Sequence, residues 1–149
     1  ATLDVRAFNH RLAESGMSFV AAPTLAARCK EAFPACLASL PLLVPGEDAS
    51  SRQKLMRWLE KARIRPKIVG EFDDSALMTA FGQAGVGVFP VPTIIEAEIV
   101  AAYGVTVLGR SAEARTEYFA ISAERRVTHP CVLAIAESAR TRFAEAAPP

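Results

Sequence analysis

The sequence is short of the residues that build special-purpose proteins. It carries 3 cysteines, 2 histidines, 7% aromatic residues and no excess of either charge, with 17 basic side chains against 16 acidic ones. Each shortage excludes something. Cys29, Cys36 and Cys131 are odd in number and form no Cys-x-x-Cys pair. A disulfide framework is therefore not expected, and the three read as small buried apolar residues in a reducing cytoplasm. A formal net charge of +1 is too small for a chain devoted to gripping phosphates. His10 and His129 have no helical His or Glu partner at metal spacing, so no metal site is expected. No apolar run reaches the roughly 18 residues of a membrane span, and the first six residues lack the basic-then-apolar layout of a signal peptide. There is no P-loop, no Gly-x-Ser-x-Gly elbow and no Gly-x-Gly-x-x-Gly after a strand, since Gly85-Val86-Gly87 stops at Pro90. No cofactor and no catalytic residue are expected.

What is present is a core. The 149 residues are 51% hydrophobic, enough for one compact domain or two small lobes sharing a hinge. Short apolar runs alternate with helical patterns. Strands are predicted at 17–22, 40–44, 66–72, 85–90, 105–108 and 117–122. Between them, helices are predicted from Thr24 to about residue 33, from Ser50 through Trp58 to about residue 62, from Asp73 or Asp74 past Phe81, and from Thr93 to Tyr103. A last helix opens at His129-Pro130 and runs to about residue 143. Ser50 with Gln53, and Thr93 with Glu96, have the spacing of capping boxes. Leu55, Trp58, Leu59 and Ala62 form the stripe of a half-buried helix. The basic residues Arg52, Lys54, Arg57, Lys61 and Arg63 read as its solvated face. Strands this short and apolar cannot face water, so the expectation is an α/β, doubly wound, mostly parallel sheet with helices on both faces. Ligands of such sheets sit at the carboxyl ends of strands, against helix N-termini.

Several ordered pieces carry a family likeness: Pro41-Leu42-Leu43, the loop 46–51, Trp58-Leu59, Ile64-Arg65-Pro66, Glu71-Phe72-Asp73-Asp74, and Gly85-Val86-Gly87-Val88-Phe89-Pro90. Together they resemble the effector-binding domain of LysR-type transcriptional regulators, over about residues 10–143. The wording at residues 70–78, at Phe81-Gly82-Gln83 and at residues 103–110 is similar to the subgroup that regulates sodium/proton antiporter genes. The resemblance implies a periplasmic-binding-protein type II-like fold, here truncated at its N-terminus. Residues 15–107 would be the second lobe and 108–149 the returning part of the first. It implies a cytoplasmic, ligand-sensing domain in a homodimer or higher homo-oligomer, with DNA contacted only through a domain outside these residues and no membrane partner. A solute-binding protein of a transport system and a small α/β enzyme are the alternatives.

The effector would be a small molecule or an ion, held by two loops that neighbouring strands deliver to one edge. Gly46, Ser50, Ser51 and Arg52 present exposed amides, hydroxyls and a guanidinium, which suit an anion. Phe72, Asp73, Asp74 and Ser75 present carboxylates, which suit a hard cation, though one of the aspartates is also a good helix cap.

Because the chain is nearly neutral and shows no recognition helix, it is expected not to bind duplex DNA sequence-specifically. A gel-shift titration at physiological salt checks this, and a species selective for one promoter would refute it.

Overall fold

The computed structural model describes residues 7–123, 125–126 and 128–146. Five strands are β1 (Phe8–Ala21), β2 (Pro41–Pro45), β3 (Lys67–Phe72), β4 (Phe89–Pro92) and β5 (Thr106–Ser122). Five helices are α1 (Pro23–Ala26), α2 (Ser50–Lys61), α3 (Ser75–Gln83), α4 (Glu96–Tyr103) and α5 (Pro130–Ala146), with 3-10 turns at Ala35–Ala38 and Thr93–Ile95. β2 and β3 pair in parallel. Val88, just before β4, joins that pair: its amide donates to Pro41 and its carbonyl accepts from the Leu43 amide, both at 2.8 Å. β4 and β5 flank β1, and both run antiparallel to it. The antiparallel sheet β4-β1-β5 and the parallel pair β2-β3 are thus linked through Val88, and the expected mostly parallel sheet is corrected: β1 runs antiparallel to both its neighbours.

β2 is buried on both faces, as a covered strand demands, whereas β3 at the edge alternates exposed and half-buried residues. Leu42 and Val44 point into a core with Phe19, Leu37, Leu55 and Leu59 beneath α2, while Leu43 points into a second core with Val20, Met78, Phe89 and Val105. α3 approaches the second core closely because Gly82 has no side chain. A Cβ there would lie 2.0 Å from Cδ1 of the fully buried Phe89 ring. Gly104, with φ of 62°, ends α4 in the left-handed conformation expected of that position.

Four local expectations are corrected. The helix from Thr24 to residue 33 shrinks to the single turn of α1. Phe33 turns inward to stack on Trp58 and Phe19, with centroids 5.9 and 5.5 Å away, and this packing overrides helix propensity. The strands at 105–108 and 117–122 are one strand, because the polar stretch between them pairs with β1. Neither capping box forms: Ala49 and Ile95 precede the helices without side-chain caps. Of the cysteines only Cys36 is buried; Cys29 is half-buried and Cys131 exposed on α5, and all are free. Burial, helped by the Cys29 thiol, pushes the Cys36 thiol up to about 12, which keeps it protonated at neutral pH.

Beyond the cores, β1 and β5 continue as a two-stranded ribbon against which α5 packs. Tyr118 on β5 stacks on Phe143 of α5 with centroids 5.8 Å apart. No helix among the described residues is long and apolar enough to cross a membrane.

Trp58 stacks at 5.1 Å on Phe19 and at 5.9 Å on Phe33. Trp58→Ala is therefore expected to destabilise by about 3 kcal/mol, the low end of the core range because the ring is half-buried. The midpoint of urea denaturation measures it, and an unchanged midpoint would show that the stack contributes nothing.

Candidate functional site

A cavity of about 820 Å³ opens where the carboxyl ends of β2 and β3 meet the β1–β5 ribbon and α5. Pro45 and Phe72 end the two parallel strands at its wall, and the first turns of α2 and α3 form its flank. The ribbon contributes Gly16, Met17, Thr116 and Tyr118, and α5 contributes Phe143. The two loops singled out in the sequence therefore do share one cleft.

Five of the eight candidate residues line it: Ser50, Ser51, Phe72, Asp73 and Ser75. The hydroxyls of the three serines and the Asp73 carboxylate have no hydrogen-bond or ion-pair partner among the described residues. The failed capping box explains part of this. With Ala49 at the cap, Ser50 and Ser51 start α2 with their hydroxyls unused.

The other three stand behind the wall. Gly46 is buried against Asp73; a Cβ on it would lie 1.9 Å from Asp73 Oδ1, so a side chain there would displace the carboxylate. The Gly46 amide donates to the Phe72 carbonyl at 2.8 Å, tying the two loops together. Arg52 turns away from the cavity. Its guanidinium donates to the Pro45 carbonyl at 2.9 Å and to Glu71 Oε1 at 3.0 Å, clamping the ends of β2 and β3. Asp74 caps α3, accepting from the Leu77 amide at 2.9 Å. Both are structural tethers in this arrangement.

The remaining lining was not legible from the two loops: Met78 and Thr79 on α3, Ile94 and Ile95 in the 3-10 turn, Ile99 and Tyr103 on α4, and Tyr118. Thr116 and Tyr118 share a face by the two-residue period of a strand. That signal becomes usable only once β5 is known to be continuous. Burial pushes the Tyr118 hydroxyl above the ordinary tyrosine range, so it remains a neutral donor.

Behind the cavity, where ribbon and sheet meet, lies a buried polar knot. Glu96, 8% exposed, accepts from Arg110 Nη2 at 2.6 Å and from Nε at 2.7 Å. The Ser18 hydroxyl, fully buried, donates to the Thr93 hydroxyl at 2.9 Å, and the Ile94 amide donates to Ser15 Oγ at 3.1 Å. The Arg110 guanidinium holds the Glu96 carboxyl below its ordinary value, outweighing the opposing effect of burial. His10 and His129 lie apart from both features. His10 Nε2 is 2.8 Å from Ser122 Oγ on the ribbon, and His129 Nδ1 accepts from the Cys131 amide at the start of α5.

A family model described as the LysR substrate binding domain matches residues 5–144. Over 125 residues the chain is 38% identical to the transcriptional activator protein NhaR of Escherichia coli (strain K12), covering 84% of this chain and 40% of that protein. The match thus spans two fifths of the length of that relative. Its fold is similar to the AmpR effector binding domain from Citrobacter freundii, with TM-score 0.69 and 20% identity over 93% of this chain and 68% of that one. It is also similar to the effector binding domain of QuiR in complex with shikimate, with TM-score 0.63 and 17% identity over 97% of this chain and 66% of that one.

Since the Glu96 carboxyl is held below 4.5, its charged pair stabilises the fold at neutral pH, and that stability is lost as pH falls through the lowered value. Arg110→Met is expected to cost about 1 kcal/mol at pH 7, because solvent screens a guanidinium that is 55% exposed. The deficit should shrink below pH 4.5 as Glu96 takes up its proton. Urea denaturation at a series of pH values measures it; a pH-independent deficit would mean the pair does not hold the knot.

Proposed function

The chain belongs to the LysR substrate binding domain family, and we propose that it is the ligand-sensing part of a LysR-type transcriptional regulator, with the 820 Å³ cavity as its effector site. The observation that carries this is the set of unspent polar groups, Ser50, Ser51, Asp73 and Ser75, facing a cavity lined mostly by apolar and aromatic side chains. Ligand pockets have this character, a greasy body with a few convergent polar groups. Residues 15–107 form the second lobe and 108–149 the returning part of the first, with β1 and β5 as the strands that cross between them. The role proposed is sensing, supported by the family match over residues 5–144. The solute-binding and enzymatic alternatives have no observation on their side.

The effector acts by population shift. A ligand that touches α2 and α3 on one side and Tyr118 and Phe143 on the other binds better when those walls are close, so occupancy biases the setting of ribbon against sheet. The polar knot at Glu96 and the ribbon beside it lie at the pivot. The intact protein is a cytoplasmic homodimer or higher homo-oligomer that reaches DNA through a domain outside these residues. Its target class is an ion antiporter gene, a reading supported by the subgroup wording at residues 70–78 and by the 38% identity to NhaR.

Ala76, exposed on the first turn of α3, lines the cavity without contributing charge. Ala76→Trp in the intact regulator is expected to fill the site and hold transcription at its uninduced level while promoter binding persists. Reporter assays and gel shifts on the same variant check both halves. A wild-type response would place the effector elsewhere.

A further inference from the structure

The cavity has one formally charged lining residue, Asp73. Its carboxylate is exposed and unpaired among the described residues. Buried Gly46 backs it, leaving no room for a side chain on that flank. Arg52, the basic residue of the same loop, would make the site anion-selective if it reached in. Its guanidinium is instead committed to Pro45 and Glu71.

The positive contribution that remains is the N-terminus of α2, where the Ser50 and Ser51 amides have no partner within the helix. A helix end is equivalent to about half an elementary charge. The corresponding end of α3 is already answered by Asp74. One full negative charge against half a positive one leaves this wall net negative. Around it stand Phe72, Tyr103, Tyr118 and Phe143, rings whose faces attract a desolvated cation.

From this we propose, resting on the reading of the cavity as the effector site, that the site selects an organic ammonium with an apolar body of about ring size. The amine sits on Asp73 and the body lies among the aromatic rings. The Ser50 and Ser51 hydroxyls take whatever neutral polar group the ligand carries. Carboxylates of the same shape are rejected, because they would meet Asp73 without a compensating guanidinium.

Three probes of one shape and different charge separate these outcomes: 2-phenylethylamine, 2-phenylethanol and phenylacetate. Each is titrated into the chain at pH 7 while the amide NMR signals of Ser51, Asp73 and Tyr118 are followed. The amine is expected to bind best and the acid worst, with roughly a tenfold gap between them, as one close charge contact near a protein surface allows. Asp73→Asn is expected to bring the amine down to the affinity of the alcohol. Because the Asp73 carboxylate has no hydrogen-bond or ion-pair partner among the described residues and asparagine has the same shape, this variant should keep the wild-type amide spectrum elsewhere. Phenylacetate binding as well as the amine, or an amine affinity indifferent to Asp73→Asn, would overturn the charge selection while leaving the cavity as a binding site. If none of the three probes moves those amides, the cavity reading falls with it.

Discussion

Everything in this molecule hangs on the antiparallel pairing of β1 with β5. These two strands, fourteen and seventeen residues long, are the elements shared by the layered sheet and by the ribbon that carries α5. Their ladder is not uniform. It slips between Arg11 and Ala13, between Ser15 and Met17, and between Phe19 and Val20. Each slip adds local twist and bends the strand. The middle slip falls beside Ser15, Ser18 and Ser111, all buried, and there the interior is hydroxyl-rich rather than aliphatic. On the sheet side the ladder is sealed by Phe19 and Val20; on the ribbon side its residues alternate between exposed and half-buried. The cleft exists because the ladder bends the ribbon across the carboxyl ends of β2 and β3.

Much of this fold was written in local pattern, and what was missed has a common cause. A strand buried on both faces announces itself as an apolar run, which made β2 legible; α2 was legible from its apolar stripe, and the α3 start from the capping chemistry of Asp73 or Asp74. The long strands were legible only in part, at 17–22, 105–108 and 117–122. Residues 8–16 and 109–116 are mostly polar because much of that surface faces water, so their strand character lies in each other and in no signal within either segment. Thr93 and Glu96 show the same limit. Their spacing suggests a cap, but Glu96 is drawn to Arg110, fourteen residues on and on a different element. Local rules lose wherever a tertiary partner offers a charged hydrogen bond.

The candidate residues divided along similar lines. Their loops were found from the general geometry of parallel sheets, and those loops meet. Which side chains stay free could not be read from the chain, because freedom depends on what neighbours consume. Arg52 looked like the obvious anion ligand, yet Glu71 and Pro45 lie within reach and hold its two terminal nitrogens. Asp73 and Asp74 are indistinguishable by composition. One is spent on the Leu77 amide and the other is not, and a single peptide step decides between scaffold and site.

Gly82 gives this arrangement an unexpected control point. It touches the Phe89 ring near one end of α3, while Ser75 and Ala76 face the cleft at the other. A nine-residue helix is about 13 Å long. The helix is thus a lever with its fulcrum at a bare backbone. A single methyl group at position 82, invisible from the cleft, would have to push α3 or the Phe89 ring aside, so the seating of the helix that flanks the cleft is set by a residue that does not line it.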